Sequence, residues 1–284
     1  MDILITGSDG QLGNSIRARA DRYPDIRFHF TDVDTLDITD KDALSTFVHA
    51  QKIGIIINCA AYTAVDKAEE QEDFCRKLNA TAPRLIGEVA TAAGARVIHV
   101  STDYVFDGKN CRPYQETDAT CPMSAYGRTK QEGEEALLSA CPNSAILRTA
   151  WLYSEYGNNF VKTMLRLSTE REHLNVVFDQ VGTPTYAGDL ADAILCIATQ
   201  KADTFHPGIY HFSNEGVCSW YDFAAKTIAL AGHHCSVSPI ETKDYPTPAT
   251  RPHYSVLNKT KIKTTYGITI PHWEESLKTL VDKL

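Results

Sequence analysis

Tyr126 and Lys130, four positions apart, are the residues of this chain best suited to proton chemistry. On a helix, side chains at i and i+4 share a face, and an ammonium beside a phenol favours the phenolate, drawing a pKa of ~10 downward. A phenol tuned in this way can exchange a proton with a substrate oxygen near neutral pH. Of the 13 tyrosines, only Tyr126 has lysine at that offset. Upstream, Ser101-Thr102-Asp103 closes an apolar run and offers a hydroxyl that can reach the same carbonyl. The same spacing also serves an ordinary surface pair, so its surroundings decide.

Near the start, Gly7-Ser8-Asp9-Gly10-Gln11-Leu12-Gly13 has the spacing GxxGxxG directly after a short apolar run. Without Cβ atoms, the N–H groups at the opening of a helix can approach a pyrophosphate. A tight strand–helix turn with no ligand has the same requirement. Asp32 falls at the end of the second apolar run, where an acid hydrogen-bonds an adenosine ribose and repels a 2′-phosphate. That leans the reading toward NADH over NADPH; the bland alternative is a solvated strand end. After the third run, the small residues of Asn58-Cys59-Ala60-Ala61-Tyr62-Thr63 would let a cofactor lie against the strand, or simply serve helix–sheet packing.

These groups need a scaffold that gathers them. Strands are expected over 2–6, 26–30, 53–58, 96–100 and 144–149, with helices over 14–20, 44–51, 79–93 and 124–140. Alternation of this kind implies βαβ units, because parallel strands need a crossover that is usually helical. The expected fold class is α/β: a Rossmann-type, doubly wound parallel sheet with a smaller mixed α/β lobe for the substrate. Residues 1–150 are read as the dinucleotide-binding domain. Residues 151–284 are read mainly as the substrate lobe, with the helix near 189–200 returning to the first domain. In that later half, helices are expected over 159–171, 189–200, 220–231 and 272–284, and strands over 174–178 and 208–212. The stretch 244–252, with three prolines, is expected to be irregular.

Composition sets outer limits. The 284 residues are 43% hydrophobic and 23% charged, which excludes a disordered or collagen-like chain. The net charge is −8, with no basic cluster to suggest nucleic acid as a partner. Eight cysteines without CxxC spacing, and no apolar leader, read as reduced thiols of a cytoplasmic protein away from membranes. His233-His234-Cys235 is not expected to bind metal, because consecutive side chains diverge.

Taken together, these residues resemble the extended short-chain dehydrogenase/reductase family, and within it the branch that reduces a 4-ketosugar carried on dTDP. The resemblance runs over nearly the whole chain. It rests on the glycine segment, Asn58–Glu69, Ser101-Thr102-Asp103-Tyr104-Val105-Phe106-Asp107-Gly108, Tyr126-Gly127 with Lys130, Arg148-Thr149-Ala150-Trp151, Gly157-Asn158-Asn159-Phe160, and Arg251-Pro252 with Ser255, Leu257 and Asn258. Thr102 is followed by Asp103 and Tyr104, so the second acid that sugar-nucleotide dehydratases use for water elimination is missing.

The resemblance implies reduction of C4 of dTDP-4-dehydro-L-rhamnose by NADH or NADPH, with Tyr126, Lys130 and Thr102 as the catalytic residues. Gly7, Gly10, Gln11, Leu12 and Gly13 would hold the cofactor diphosphate, Asp32 the ribose, Asp37 and Ile38 the adenine region. Ala61, Tyr62 and Thr63 would line the nicotinamide side, with Lys130 holding its ribose and polarising Tyr126. Thr102, Asp103, Tyr126 and Trp151 would meet the sugar, and Arg251 its diphosphate, although composition alone reads Arg251 as a surface arginine. Some family members dimerise through Mg²⁺ held by glutamates. This chain has Ser15 and Gly188 at those places, so no metal is expected, and the state is monomer or homodimer. Competing readings are a sugar-nucleotide 4-epimerase, another 4-ketoreductase, or a non-catalytic regulatory subunit.

Overall fold

The computed structural model describes residues 1–284. Its central sheet is built from β1 (Asp2–Thr6), β2 (Arg27–Thr31), β3 (Ile55–Asn58), β4 (Arg96–Thr102) and β5 (Ser144–Thr149), with Gly208–His211 as a sixth strand. The spatial order is Gly208–His211, β5, β4, β3, β1, β2, and every pairing is parallel. Strands buried on both faces read as continuous apolar runs, and Ile3-Leu4-Ile5 and Ile55-Ile56-Ile57 fit that description.

Successive side chains alternate between faces. Ile3, Ile5, Ile55 and Ile57 join one core with the helices Gln11–Arg17 and Ala187–Ala198. Leu4, Ile56 and Val97 join the other, with the helices Lys41–Ala50, Ala82–Ala93 and Ala125–Ala140. The strand order reverses between β1 and β3. In doubly wound sheets ligands sit outside the carboxyl ends of the strands at such a reversal. Thr6, Asn58, Thr102 and Thr149 are the last residues of β1, β3, β4 and β5, and they mark that edge.

The remaining chain folds over this edge. Phe160–Glu170 and Trp220–Leu230 pack together beside a parallel strand pair, His173–Val177 with Ser236–Ile240. The sequence reading did not foresee Ser236–Ile240, in which Pro239 stands on the edge of a two-stranded sheet. It also missed the short helices Val65–Ala68, Glu72–Arg76 and Thr260–Tyr266. The expected helix 79–93 in fact begins at Ala82, after a π turn over Lys77–Thr81. No helix is long and apolar enough to cross a membrane.

Candidate active site

A cleft of about 980 Å³ runs along the carboxyl edge of the sheet. At one end lies the glycine turn. Gly7 has φ +64°, and a Cβ there would stand 2.6 Å from the Ala60 backbone nitrogen, so β1 and β3 can meet only without a side chain. Gly10, Gln11 and Leu12 line the cleft, but Gly13 does not. A Cβ on Gly13 would stand 2.4 Å from Ser8 Cα, which makes it a packing position behind the turn rather than a cofactor contact.

Asp32, Asp37 and Ile38 line the same end. Asp32 Oδ2 accepts the Asp9 backbone N–H at 3.0 Å, and Oδ1 accepts that of Val33 at 2.8 Å, so the carboxylate is aimed at the turn. Asp37 accepts from both the hydroxyl and the backbone N–H of Thr39, which hold its carboxyl below the ordinary range. Lys77 is the cation that lines this end, beside Asp37, while Arg17 is paired with Asp9 at 3.2 Å.

At the middle of the cleft, Ala61, Thr63, Val100, Thr102, Asp103, Tyr126 and Lys130 come together from β3, β4 and the helix Ala125–Ala140. Ser124 caps that helix by accepting the Gly127 N–H. Thr102 donates to Asp103 Oδ1 at 3.0 Å. Asp103 is buried with Oδ2 unpartnered, and burial pushes its carboxyl up to about 7. The Ser101 and Ser255 hydroxyls are likewise buried without partners. Burial also raises the cleft-lining Cys59 thiol to about 12, which makes it an inert wall.

The expected contact between the lysine and the phenol is not made. Lys130 Nζ passes beneath the tyrosine to donate to the Val100 carbonyl at 2.7 Å, with His99 Nε2 at 3.3 Å. Burial pulls Lys130 down to about 8, and burial also pushes the Tyr126 phenol above its ordinary value, partly offset by the Thr102 hydroxyl. The sequence argument for a lowered phenol pKa is therefore reversed. Tyr126 is held protonated, as a proton donor must be.

Two expected site residues stand apart from the others. Tyr62 does not line the cleft: its ring packs edge-on against Phe74 and its hydroxyl donates to Gln71 at 2.9 Å. Its backbone is held by Asn79, which sits in the π turn. Arg251 also stands outside the wall, donating to Asp66 Oδ2 at 2.6 Å and to the Tyr104 hydroxyl at 3.2 Å. At the far end, Trp151 lines the cleft with φ +50°, a strained conformation for a non-glycine residue, and stacks on Trp220 at 3.6 Å. Trp220 was not foreseen, nor was Gln11 as a bracket whose Oε1 accepts from Ser154 and Asn159. No local pattern signals either long-range pairing.

The model of the family described as RmlD substrate binding domain matches residues 1–284. The chain belongs to that family. It is 44% identical to a dTDP-4-dehydrorhamnose reductase of Aggregatibacter actinomycetemcomitans, over 98% of this chain and 97% of that protein. Among solved structures, it is similar to a dTDP-4-dehydrorhamnose reductase of Clostridium acetobutylicum, with 45% identity, TM-score 0.95, and 100% and 99% of the two chains covered. A dTDP-4-dehydrorhamnose reductase of Bacillus anthracis, solved in complex with NADP, is 37% identical with TM-score 0.95, again over 100% and 99% of the two chains. The chain is thus a nicotinamide-dependent oxidoreductase of the Rossmann class.

Ser15 and Gly188 lie where helix Gln11–Arg17 meets Ala187–Ala198, and a Cβ on Gly188 would already fall 2.7 Å from an Arg19 nitrogen. His233 accepts or donates at the Ser168 hydroxyl, 2.7 Å away, and no group of three His, Cys, Asp or Glu side chains in the structure could hold a metal ion.

Proposed function

We propose that this protein reduces the C4 ketone of dTDP-4-dehydro-L-rhamnose to dTDP-L-rhamnose with a dihydronicotinamide cofactor. The observation that carries the reading is that Thr102, Tyr126 and Lys130 line the same cleft as the glycine turn and Asp32. A continuous cleft of about 980 Å³ is of the size that holds a large ligand.

The cofactor, when bound, supplies the hydride. The chain's own groups supply position and protons. The backbone N–H groups of Gln11 and Leu12 take the diphosphate, with Gly10, whose own N–H donates to the Gly7 carbonyl at 3.2 Å, lying against it, and Asp32 accepts from the ribose hydroxyls. Lys130 addresses the nicotinamide ribose from below. Tyr126 carries a proton at Oη for the C4 oxygen, and the Thr102 hydroxyl turns from Asp103 Oδ1 to donate to that oxygen. The free Oδ2 of Asp103 hydrogen-bonds a sugar hydroxyl, with Trp151 as a flat wall behind the ring. Residues 1–150 form the cofactor half, and most of 151–284 the sugar-nucleotide half.

The anion at Asp32 favours NADH over NADPH, and the cleft-lining Lys77 beside Asp37 acts the other way. The test is loss of nicotinamide absorbance with each cofactor against a panel of 4-ketosugar nucleotides. Net oxidation supports a reductase. Interconversion of sugars without it would mean a 4-epimerase, and no turnover with any of them a regulatory subunit.

A further inference from the structure

We infer that His99 is a positioning residue that holds Lys130 poised between amine and ammonium, through a row of hydrogen bonds crossing the sheet from Thr6. The inference rests on the reading of Lys130 as the cation beneath the cofactor ribose. It adds what sets that cation's charge.

The row follows from register. In the parallel pairings Thr6 is opposite Asn58, and Asn58 opposite His99, so all three side chains share one face of the sheet. They share the parity of Leu4, Ile56 and Val97, whose core includes Leu137 of the helix that carries Lys130. All three are buried to 1% exposure or less. Buried polar groups must spend their donors and acceptors on one another.

Proton accounting then fixes each member. Asn58 Oδ1 accepts from the Ala60 backbone N–H at 3.1 Å and from the Thr6 hydroxyl at 2.7 Å. A backbone N–H can only donate, so the amide orientation is settled and Nδ2 faces His99 Nδ1 at 3.0 Å. His99 Nδ1 must accept. A buried, neutral imidazole that accepts at Nδ1 carries its proton on Nε2, and burial together with the nearby Lys130 holds His99 well below its ordinary value. The Nε2–H therefore points at Lys130 Nζ, 3.3 Å away.

An ammonium at Nζ presents hydrogens to a hydrogen, whereas an amine presents a lone pair. His99 in this tautomer selects against the charged lysine. The groups acting the other way are Glu134 on the same helix, itself paired with Arg148 of β5 at 2.6 Å, and Cys75 of the helix Glu72–Arg76. The Val100 carbonyl accepts from Nζ in either state. Tyr126, on the same helix, has Asp103 and Tyr104 rather than Lys130 as its charged and polar neighbours.

Two measurements test this. In the wild-type, cofactor-free protein, the imidazole ¹⁵N shifts of His99 should report Nε2–H and a bare Nδ1 throughout pH 6–9. An Nδ1–H tautomer or an imidazolium overturns the inference regardless of any variant's folding. In His99→Gln, the side-chain carbonyl can accept from an ammonium, so the alkaline limb of the kcat/KM profile should move to higher pH, with melting temperature as the folding check. A limb that stays put in a folded variant overturns it, because a purely structural histidine changes stability and leaves the limb alone. Wild-type protein that oxidises neither cofactor with any ketosugar sinks the functional reading instead, and the tautomer measurement remains decisive for His99.

Discussion

Arg251 reaches across the chain to donate to Asp66 Oδ2 at 2.6 Å, tying the irregular C-terminal segment to the helix that follows β3. Its second amino group meets the Tyr104 hydroxyl, and Tyr104 packs edge-on against Tyr126 with ring centroids 5.5 Å apart. The guanidinium is thus pre-oriented beside the cleft by a carboxylate that shares it with solvent. Planar guanidinium forks suit phosphate oxygens, and an arginine already fixed at one edge loses less freedom when its other edge binds.

Arg251→Ala is therefore expected to raise KM for the sugar nucleotide by ~10–100-fold, since a hydrogen bond to a charged group is worth roughly 1.5–3 kcal/mol. The KM for the cofactor should stay within about twofold. Steady-state kinetics with each substrate varied in turn decides the matter; equal change in both constants, or in neither, removes Arg251 from the diphosphate site.

Tyr126→Phe removes one proton donor and leaves the ring packing against Tyr104. The expected loss is ~10²–10⁴-fold in kcat, with cofactor affinity and melting temperature close to wild type. Near-full activity would show that the proton comes from elsewhere, and Asp103 is the buried carboxyl that lines the cleft.

Asp32→Ala should turn the cofactor preference toward NADPH. Removing an anion within a few ångströms of a 2′-phosphate relieves repulsion of roughly 1 kcal/mol or more, about fivefold or greater in the ratio of the two kcat/KM values. The Asp9 N–H that Asp32 accepts lies at the surface, so water replaces the carboxylate at little cost. An unchanged ratio means Asp32 only shapes the turn.

Much of this was legible in the sequence for identifiable reasons. Parallel strands covered on both faces must be apolar and β-branched, so β1, β3, β4 and β5 stood out, and Ser144–Thr149 was read with its observed ends. Helix Gln11–Arg17 starts three residues before the expected Asn14, because Gly10 already occupies the cap. Ser236–Ile240 was hidden by alternating serines and a proline, which break the apolar run while leaving an edge strand possible. In the site, the i,i+4 rule placed Tyr126 and Lys130 on one face, but it is silent on where a long flexible side chain ends. Lys130 travels on to Val100 because a buried carbonyl there needs a donor. Trp220 against Trp151 is a pairing between segments far apart in the chain, and nothing local encodes it.

The buried Asp103 makes a prediction about stability that needs no substrate. Its carboxyl is raised by burial from an ordinary 3.8 to about 7, so the folded protein holds a proton that the unfolded chain releases between those values. Where the native state binds more protons, stability falls as pH rises. The contribution of this group is full below pH ~4 and is lost as pH climbs toward 7. His211, pushed down to about 3 by burial, acts in the opposite sense, its contribution growing as pH rises from about 3 to the ordinary histidine value of 6.5, so the wild-type curve alone is a mixture. The difference between Asp103→Asn and wild type isolates the carboxyl. Denaturant unfolding should show the variant gaining roughly 2 kcal/mol relative to wild type between pH 5 and pH 8. A flat difference over that range means that Asp103 is already ionised at pH 5, and that an anion rather than a neutral acid awaits the sugar.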